Sequence, residues 1–421
     1  MSTDFVFFFS NSQKLFQKSI ATNGFLWYNF SNENTEKGAK FVNKPTTPNS
    51  PKKHLDGESL MAIFLLILTA FLLLTVSVLT FRACTNEQDK PQGNDGITTP
   101  QTPIVPPGQS QQKYIFSSGT VVPLAGEDDN TKTILDEIDA YYAILIDVKT
   151  GKIVAQKNSE LVFSPASMTK VMTLIVACEN LTTDDLDRML PYTHDIHEYV
   201  TTGDYFDMDI ALPVITESGI SCIGDYYTIK DLLYGIGVTS AADCAYMIAK
   251  EIAGSEEAFV DMMNAKAREL GLTDTQFDNI VGFDSAENVT TARDMAQIMA
   301  YAMQCNLIVD ILKPRTTSYS VRAHYWDDDG IEQTYGVHFS PSYQSRLKNY
   351  PSFSLTGANI EACKTGYTDQ SFIVTSATAK ATGARYILVL GDREDGSGDN
   401  RATKYKKTMM DMETLFNTFV P

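Results

Sequence analysis

The sequence predicts a mixed α/β protein: an antiparallel sheet built from both ends of the folded region, flanked by helices, with a helical subdomain inserted between them. Three observations predict it. β-rich runs open the region in "YYAILIDVKTGKIVAQKN" and return near its end in "SFIVTSATAKATGARYILVLGD". Between them, apolar residues recur at helical spacing over long stretches. The chain then closes on "KYKKTMMDMETLFNTF", an amphipathic helix.

In order, the first two runs flank Lys149-Thr150-Gly151, the turn chemistry of a hairpin. Helices are predicted over 167–178, 229–252, 256–270 and 291–303. "SPASMTK", residues 164–170, opens the first of these. Ser164 is placed to cap it and Pro165 to occupy the first helical position, with Met168, Val171, Met172 and Leu174 facing a core. The last two strand-like runs join through Thr382-Gly383.

Of the 421 residues, 43% are hydrophobic and 20% charged, the balance of a globular chain. The net charge of -18 argues against a nucleic-acid partner, because phosphate binding needs basic surface. Five histidines are too scattered for a metal site, and the closest pair, His194 and His197, reads as solvated loop. Six cysteines include no Cys-x-x-Cys pair, which fits buried free thiols better than a zinc ribbon or a disulfide framework.

Residues 60–81, "LMAIFLLILTAFLLLTVSVLTF", carry no charge and are long enough to span a bilayer as a helix, which takes about 20 apolar residues. The tail ahead of them holds seven lysines against five acids, a bias that places residues 1–59 in the cytoplasm and the rest outside. A signal sequence starting at Met61, or a lipidated Cys84, fits less well, for want of a basic flank and because of Arg82. Residues 82–129 include a stretch rich in Pro, Gln, Thr and Gly and read as an extracellular linker. The expected organisation is therefore a tail of unknown function (1–59), an anchor (60–81), a linker (82–129) and a folded domain (130–421).

Ser167 and Lys170 lie one helical turn apart, so an amine on the same face can take the proton of a hydroxyl that is otherwise a poor nucleophile. A plain helix start explains the spacing equally well, and the motif alone leaves both readings open. Two further motifs bear on the choice. "GVTSAADCA" puts Ser240 at the head of a helical stretch, and "EACKTGYTDQS" puts Lys364-Thr365-Gly366 just ahead of the strand-like run 372–377. Ser-x-x-Lys, a serine at a helix start, then Lys-Thr-Gly is the order found in penicillin-binding proteins and class A β-lactamases.

With these motifs in place, the chain resembles the low-molecular-mass penicillin-binding proteins that act as serine-type D-Ala-D-Ala carboxypeptidases, peptidase family S11. "AILIDVKTGKIVAQKNSELVFSPASMTK", "TIKDLLYGIGVTSAADCA", "EAFVDMMNAKARELGLTDTQFDN", "VTTARDMAQIM" and "ACKTGYTDQS" all look like that family, together covering about residues 140–390. The resemblance implies a β-lactamase/transpeptidase-like fold, and the end of the sequence near 421 is expected to leave no room for the trailing β-rich domain some members carry. It implies Ser167 as nucleophile, Lys170 as base and Ser240 as the relay of a proton to the leaving D-alanine. Partial burial and the nearby charge of Lys364 are expected to keep Lys170 neutral. Lys364 and Thr365 would hold the substrate carboxylate, Gly366 would let its backbone lie close, and the N–H groups of Ser167 and Tyr367 would receive the oxyanion. The implied substrate is a peptidoglycan stem peptide ending in D-Ala-D-Ala, with β-lactams as covalent inhibitors and no cofactor.

One position departs from the family. Its middle motif is usually Ser-x-Asn, whereas this chain reads Ser240-Ala241-Ala242. The missing amide removes one polar contact, worth about 1–3 kcal/mol, so slower or altered turnover is expected. That change and the long tail also support a muropeptide or β-lactam sensor as an alternative. A β-lactamase is less well supported, because no glutamate-bearing deacylation loop is visible between Ser240 and Lys364. Asn264, Asn279, Arg293 and Asp294 read as scaffold, and Arg346 as a further positive charge near the carboxylate.

Overall fold

The computed structural model describes residues 138–201, 224–327, 329–368, 370–392 and 398–421, with positions 116 and 124 and short strands at 132–133, 215–216 and 219–220. The tail, the expected anchor at 60–81 and most of the linker lie outside the described residues. Among the described residues no helix is long and apolar enough to cross a membrane.

The strands are β1 (Lys132–Thr133), β2 (Tyr142–Asp147), β3 (Ile153–Lys157), β4 (Met189–Pro191), β5 (Ile215–Thr216), β6 (Gly219–Ile220), β7 (Tyr226–Thr228), β8 (Tyr319–Trp326), β9 (Glu332–Phe339), β10 (Ala358–Tyr367), β11 (Ser371–Ala379) and β12 (Arg385–Gly391). The helices are α1 (Lys170–Asn180), α2 (His194–Thr201), α3 (Ile229–Val238), α4 (Ala242–Ala253), α5 (Glu256–Glu269), α6 (Ala292–Ala302), α7 (Asn306–Ile311), α8 (Ser342–Asn349) and α9 (Arg401–Phe419).

Six strands form the main sheet in the order β1-β3-β2-β12-β11-β10, so strands from the two ends of the region meet at the β2–β12 pair. Every pairing is antiparallel except β1 with β3. The unbroken apolar run in β2 follows from burial on both faces. Ile144 and Ile146 enter the core shared with the helical region, while Ala143 and Leu145 enter a second core with Met409, Met412, Leu415 and Phe416 of α9. A smaller sheet, β4-β7-β8-β9, lies in the inserted part.

Helix starts follow the capping chemistry of the sequence. Thr228, Ser255, Thr291 and Asn400 each accept a backbone N–H from the first turn of α3, α5, α6 and α9. The structure corrects the single helix expected over 229–252. It is broken into α3 and α4 at Thr239-Ser240-Ala241, where Ser240 takes a left-handed φ of 68°. His194 and His197 lie on α2 rather than in a loop. Cys178, Cys244, Cys305 and Cys363 are free and buried; Cys84 and Cys222 lie outside the described residues.

Asp411 of α9 ties the two ends of the 138–421 region together by accepting the N–H groups of Ala140 (2.7 Å) and Asp139 (3.1 Å). Burial pushes its carboxyl up to about 6, with those two hydrogen bonds pulling the other way. The folded group thus holds its proton more tightly than the unfolded one, near pH 3.9. Stability is therefore expected to fall as pH rises from about 4 to about 6, by at most about 3 kcal/mol, and to be flat beyond. Asp411→Asn keeps an acceptor oxygen and cannot ionise, so denaturant melts should show that decline gone. The same slope in both proteins would refute the assignment.

Candidate active site

The approach to the first motif is pinned by Phe163. Its ring stacks on Phe372 of β11 at 5.4 Å, and its backbone exchanges two hydrogen bonds of 2.9 Å with Thr290. A 3-10 turn, Ala166–Thr169, then leads into α1. Ser164 does not cap this turn, as the sequence led one to expect. Pro165 takes the capping position, because Ala166 adopts φ 50° and no regular helix can begin before it, and Ser164 Oγ is buried without a partner. Across the turn, Lys170 Nζ donates to Ser167 Oγ at 3.0 Å and to the Val281 carbonyl at 2.5 Å. Lys170 is wholly buried, and Ser167 lines the cleft.

Val281 belongs to a loop shaped by one side chain. Asn279 Oδ1 accepts the N–H groups of Val281 (3.2 Å), Gly282 (2.7 Å) and Phe283 (2.9 Å), and its amide donates to the Phe283 carbonyl (3.1 Å). This winding turns the Val281 carbonyl toward Lys170. Gly282 sits at φ 82°, and a Cβ there would stand 1.8 Å from the Ala166 carbonyl oxygen and 2.8 Å from Ser167 N. Both the conformation and the space demand glycine. Asn279 was legible only as a loop former, and Val281 contributes through its main chain, which no side-chain motif reveals. The spacing of an Asn and a Gly three apart in "DNIVGFD" is the one signal that marks the turn.

The other wall is β10, whose C-terminal end carries Lys-Thr-Gly itself. Lys364 Nζ donates to Ser240 Oγ and to the Thr365 carbonyl, both at 2.9 Å. Ser240 is not a cap: α4 begins after Ala241, and the left-handed turn at 239–241 aims the Ser240 hydroxyl at β10 instead. Thr365 Oγ1 donates to Ser342 Oγ on α8 at 2.9 Å. A Cβ on Gly366 would meet Ala166 Cβ at 3.0 Å, the Pro165 carbonyl oxygen at 3.1 Å and Ser167 N at 3.3 Å, so strand and turn adjoin through backbone and one methyl group.

A cleft of about 820 Å³ opens between these walls, lined among others by Ser167, Ser240, Thr365, Gly366 and Tyr367. Lys170 and Lys364 lie beneath it, each in contact with one of the lining serines. All seven residues singled out in the sequence therefore meet at one place. Ala242 is buried in the first turn of α4 and is not among the lining residues, so the methyl group puts nothing polar into the cleft. Arg346 does border the cleft, but its guanidinium bonds to β10 and β11 rather than standing ready for a carboxylate.

A serine hydroxyl touching a buried amine, beside a second serine held by another amine, is the equipment of acyl transfer through a serine. The chain belongs to the D-alanyl-D-alanine carboxypeptidase family, whose model matches residues 129–394. It is 31% identical over 253 residues to D-alanyl-D-alanine carboxypeptidase DacF of Bacillus subtilis, covering 60% of this chain and 57% of that one. It is 34% identical over 161 residues to D-alanyl-D-alanine carboxypeptidase DacC of Escherichia coli, covering 38% of each. The chain thus spans about half or less of the length of these relatives. Its fold is that of the Streptomyces K15 DD-transpeptidase crystal structure, with a TM-score of 0.53 at 22% identity over 68% of this chain and 98% of that one.

The two glycines should respond differently to substitution. Gly282→Ala forces a left-handed alanine into the Ala166 carbonyl and should displace Ser167, with any labelling of the protein by a fluorescent penicillin falling at least about 100-fold. Gly366→Ala needs shifts of only a few tenths of an ångström and should cost about 10-fold or less. Equal labelling of both variants would show that the turn is not held as described.

Proposed function

We propose that this protein is a serine-type D-alanyl-D-alanine carboxypeptidase that removes the terminal D-alanine from peptidoglycan stem peptides. The observation that carries the reading is the 3.0 Å contact of Ser167 Oγ with Lys170 Nζ beside the 2.9 Å contact of Ser240 Oγ with Lys364 Nζ. Lys170 acts as a neutral amine, the form favoured by its complete enclosure. As Ser167 Oγ attacks the penultimate D-alanine carbonyl, Lys170 takes the hydroxyl proton. The carbonyl oxygen becomes an oxyanion held by the N–H groups of Ser167 and Tyr367, each worth about 3 kcal/mol in such sites. Lys364 and Thr365 hold the substrate's terminal carboxylate, and Gly366 lets its backbone approach.

When the tetrahedral adduct collapses, the peptide C–N bond breaks. Ser240 hands its proton to the departing D-alanine nitrogen and recovers one from Lys170. The ester on Ser167 is then cleaved by water, with Lys170 again taking the proton. A β-lactam acylates the same serine, but its amine stays tethered to the adduct, which impedes hydrolysis. The apolar segment 60–81 holds the chain to the membrane with the 130–421 domain outside, and the linker lets the cleft reach a fixed polymer. The absence of an amide at Ala242 favours one second reading, a slow penicillin or muropeptide sensor, which differs in turnover and not in acylation.

The full chain in detergent should release D-alanine from a peptide ending in D-Ala-D-Ala and gain the mass of one penicillin. Ser167→Ala should do neither while melting at the wild-type temperature. Adduct without measurable D-alanine release would favour the sensor, and an adduct on Ser167→Ala would sink both readings. Expressed in cells, the chain should sediment with membranes and resist alkaline extraction, and deletion of 60–81 should release it. A deleted chain that still resists extraction would place the anchor elsewhere.

A further inference from the structure

Arg346, on α8, is 1% exposed yet meets no carboxylate among the described residues. Its Nη1 donates to Ser371 Oγ at 2.5 Å, and its Nη2 to the carbonyls of Gly366 (2.7 Å) and Phe372 (2.8 Å). The Tyr405 ring of α9 lies 4.3 Å from the guanidinium carbon, and Nε has no partner. Burial pushes its pKa down to about 10, so it remains a cation at neutral pH. A buried ion without a counter-ion is costly, and a neutral side chain could clamp two strands at lower cost.

The bonded carbonyl explains what the charge is for. The Thr365 carbonyl accepts from Lys364 Nζ beneath the cleft. Carbonyls alternate in direction along a strand, so that of Gly366 points the other way, toward its partner Phe372 on β11. In a planar trans peptide, C=O and N–H point in opposite directions. The N–H sharing a peptide plane with the Gly366 carbonyl is that of Tyr367, which must therefore point back to the cleft side, where Gly366 adjoins Ser167 N.

We propose that Arg346 is a positioning residue for the oxyanion site: it fixes the 366–367 peptide plane, polarises the Tyr367 N–H through the carbonyl, and leaves its positive charge uncompensated where negative charge develops. The proposal rests on Tyr367 N–H being an oxyanion donor.

The test compares Arg346→Met and Arg346→Lys with the wild type in the full chain. The readouts are the acylation rate constant by a penicillin, the dissociation constant of the preceding non-covalent complex, and the affinity for a peptide boronic acid. That boronic acid forms a tetrahedral adduct on Ser167. In Arg346→Met, acylation rate and boronate affinity should fall about 10- to 100-fold while the non-covalent constant moves less than about 3-fold. Arg346→Lys, which keeps the charge and one donor, should recover most of the loss. Unchanged acylation, or an equal fall in all three quantities, overturns the proposal. If Arg346→Met fails to fold, Arg346→Gln, which keeps a donor and loses the charge, takes its place: a fall of about 3-fold or more in acylation rate and boronate affinity with the non-covalent constant unmoved supports the proposal, and no fall refutes it. A wild type that neither acylates nor binds the boronate would take down the reading of the site, and this proposal with it. A wild type that does both beside unaffected variants takes down the proposal only.

Discussion

The Pro165 carbonyl, Ala166 and Ser167 N fill the space that a side chain on Gly366 would need, and the Ala166 carbonyl fills the space over Gly282. Three backbone segments therefore meet with nothing larger than the Ala166 methyl between them: the turn at 165–167, the loop at 279–283 and the end of β10. The separation of Ser167 from Lys170, and of both from the strand, is thereby set by main-chain contact. Main chain cannot relax through a rotamer change, so this spacing is stiffer than any that side-chain packing provides. The Asn279 hydrogen bonds and the Phe163–Phe372 stack reach the site through this constraint.

The sheet supplies the rest. β10 is its last strand, and an edge strand carries backbone groups that no neighbour strand satisfies. The 3-10 turn ahead of α1 packs against part of that edge, the Leu312 carbonyl accepts the Cys363 N–H at 2.9 Å, and on the proposed reading substrate backbone lies against the 365–367 end. The edge holds its place because α9, the closing helix, packs its apolar side under the sheet and brings Arg401 and Tyr405 to the cleft. Arg401 stacks on Tyr367 at 4.1 Å. The far end of the chain is thus part of the wall around a serine placed near the start of the domain.

What could be read from the sequence follows from where the physics is local. The hairpins β2–β3 and β11–β12 announce themselves by β-rich runs and a turn glycine, and the capped helices by Thr, Ser or Asn at their starts. The three motifs were legible because side chains carry their chemistry. The break at Ser240 was hidden: Thr239-Ser240-Ala241 contains no Gly or Pro, and only the tertiary pull of Lys364 rewards a left-handed serine there. Val281 was hidden because it acts through a carbonyl. Arg346 was legible as a charge near the cleft but its bonds to β10 and β11 were not, because the sequence does not show on which side of β10 a long side chain will lie. The β8–β9 hairpin was not anticipated at all, although its alternating burial is regular.

Two of the three non-glycine residues with positive φ among the described residues, Ala166 and Ser240, flank this cleft. Each such conformation costs about 1–3 kcal/mol and persists only where surroundings over-determine it. Here both strains place a serine hydroxyl against an amine, and both amines are enclosed within a chain of net charge -18. On the proposed reading Lys170 carries no charge, so the cation facing the cleft from this pair is Lys364, in contact with Ser240 Oγ. The substrate's terminal carboxylate meets that charge and the oxyanion forms later, so complementarity is greatest when negative charge is greatest. Replacing the usual asparagine by Ala242 removes a neutral dipole from this arrangement and none of its charge. That is why the substitution is expected to slow positioning without removing the capacity for acylation.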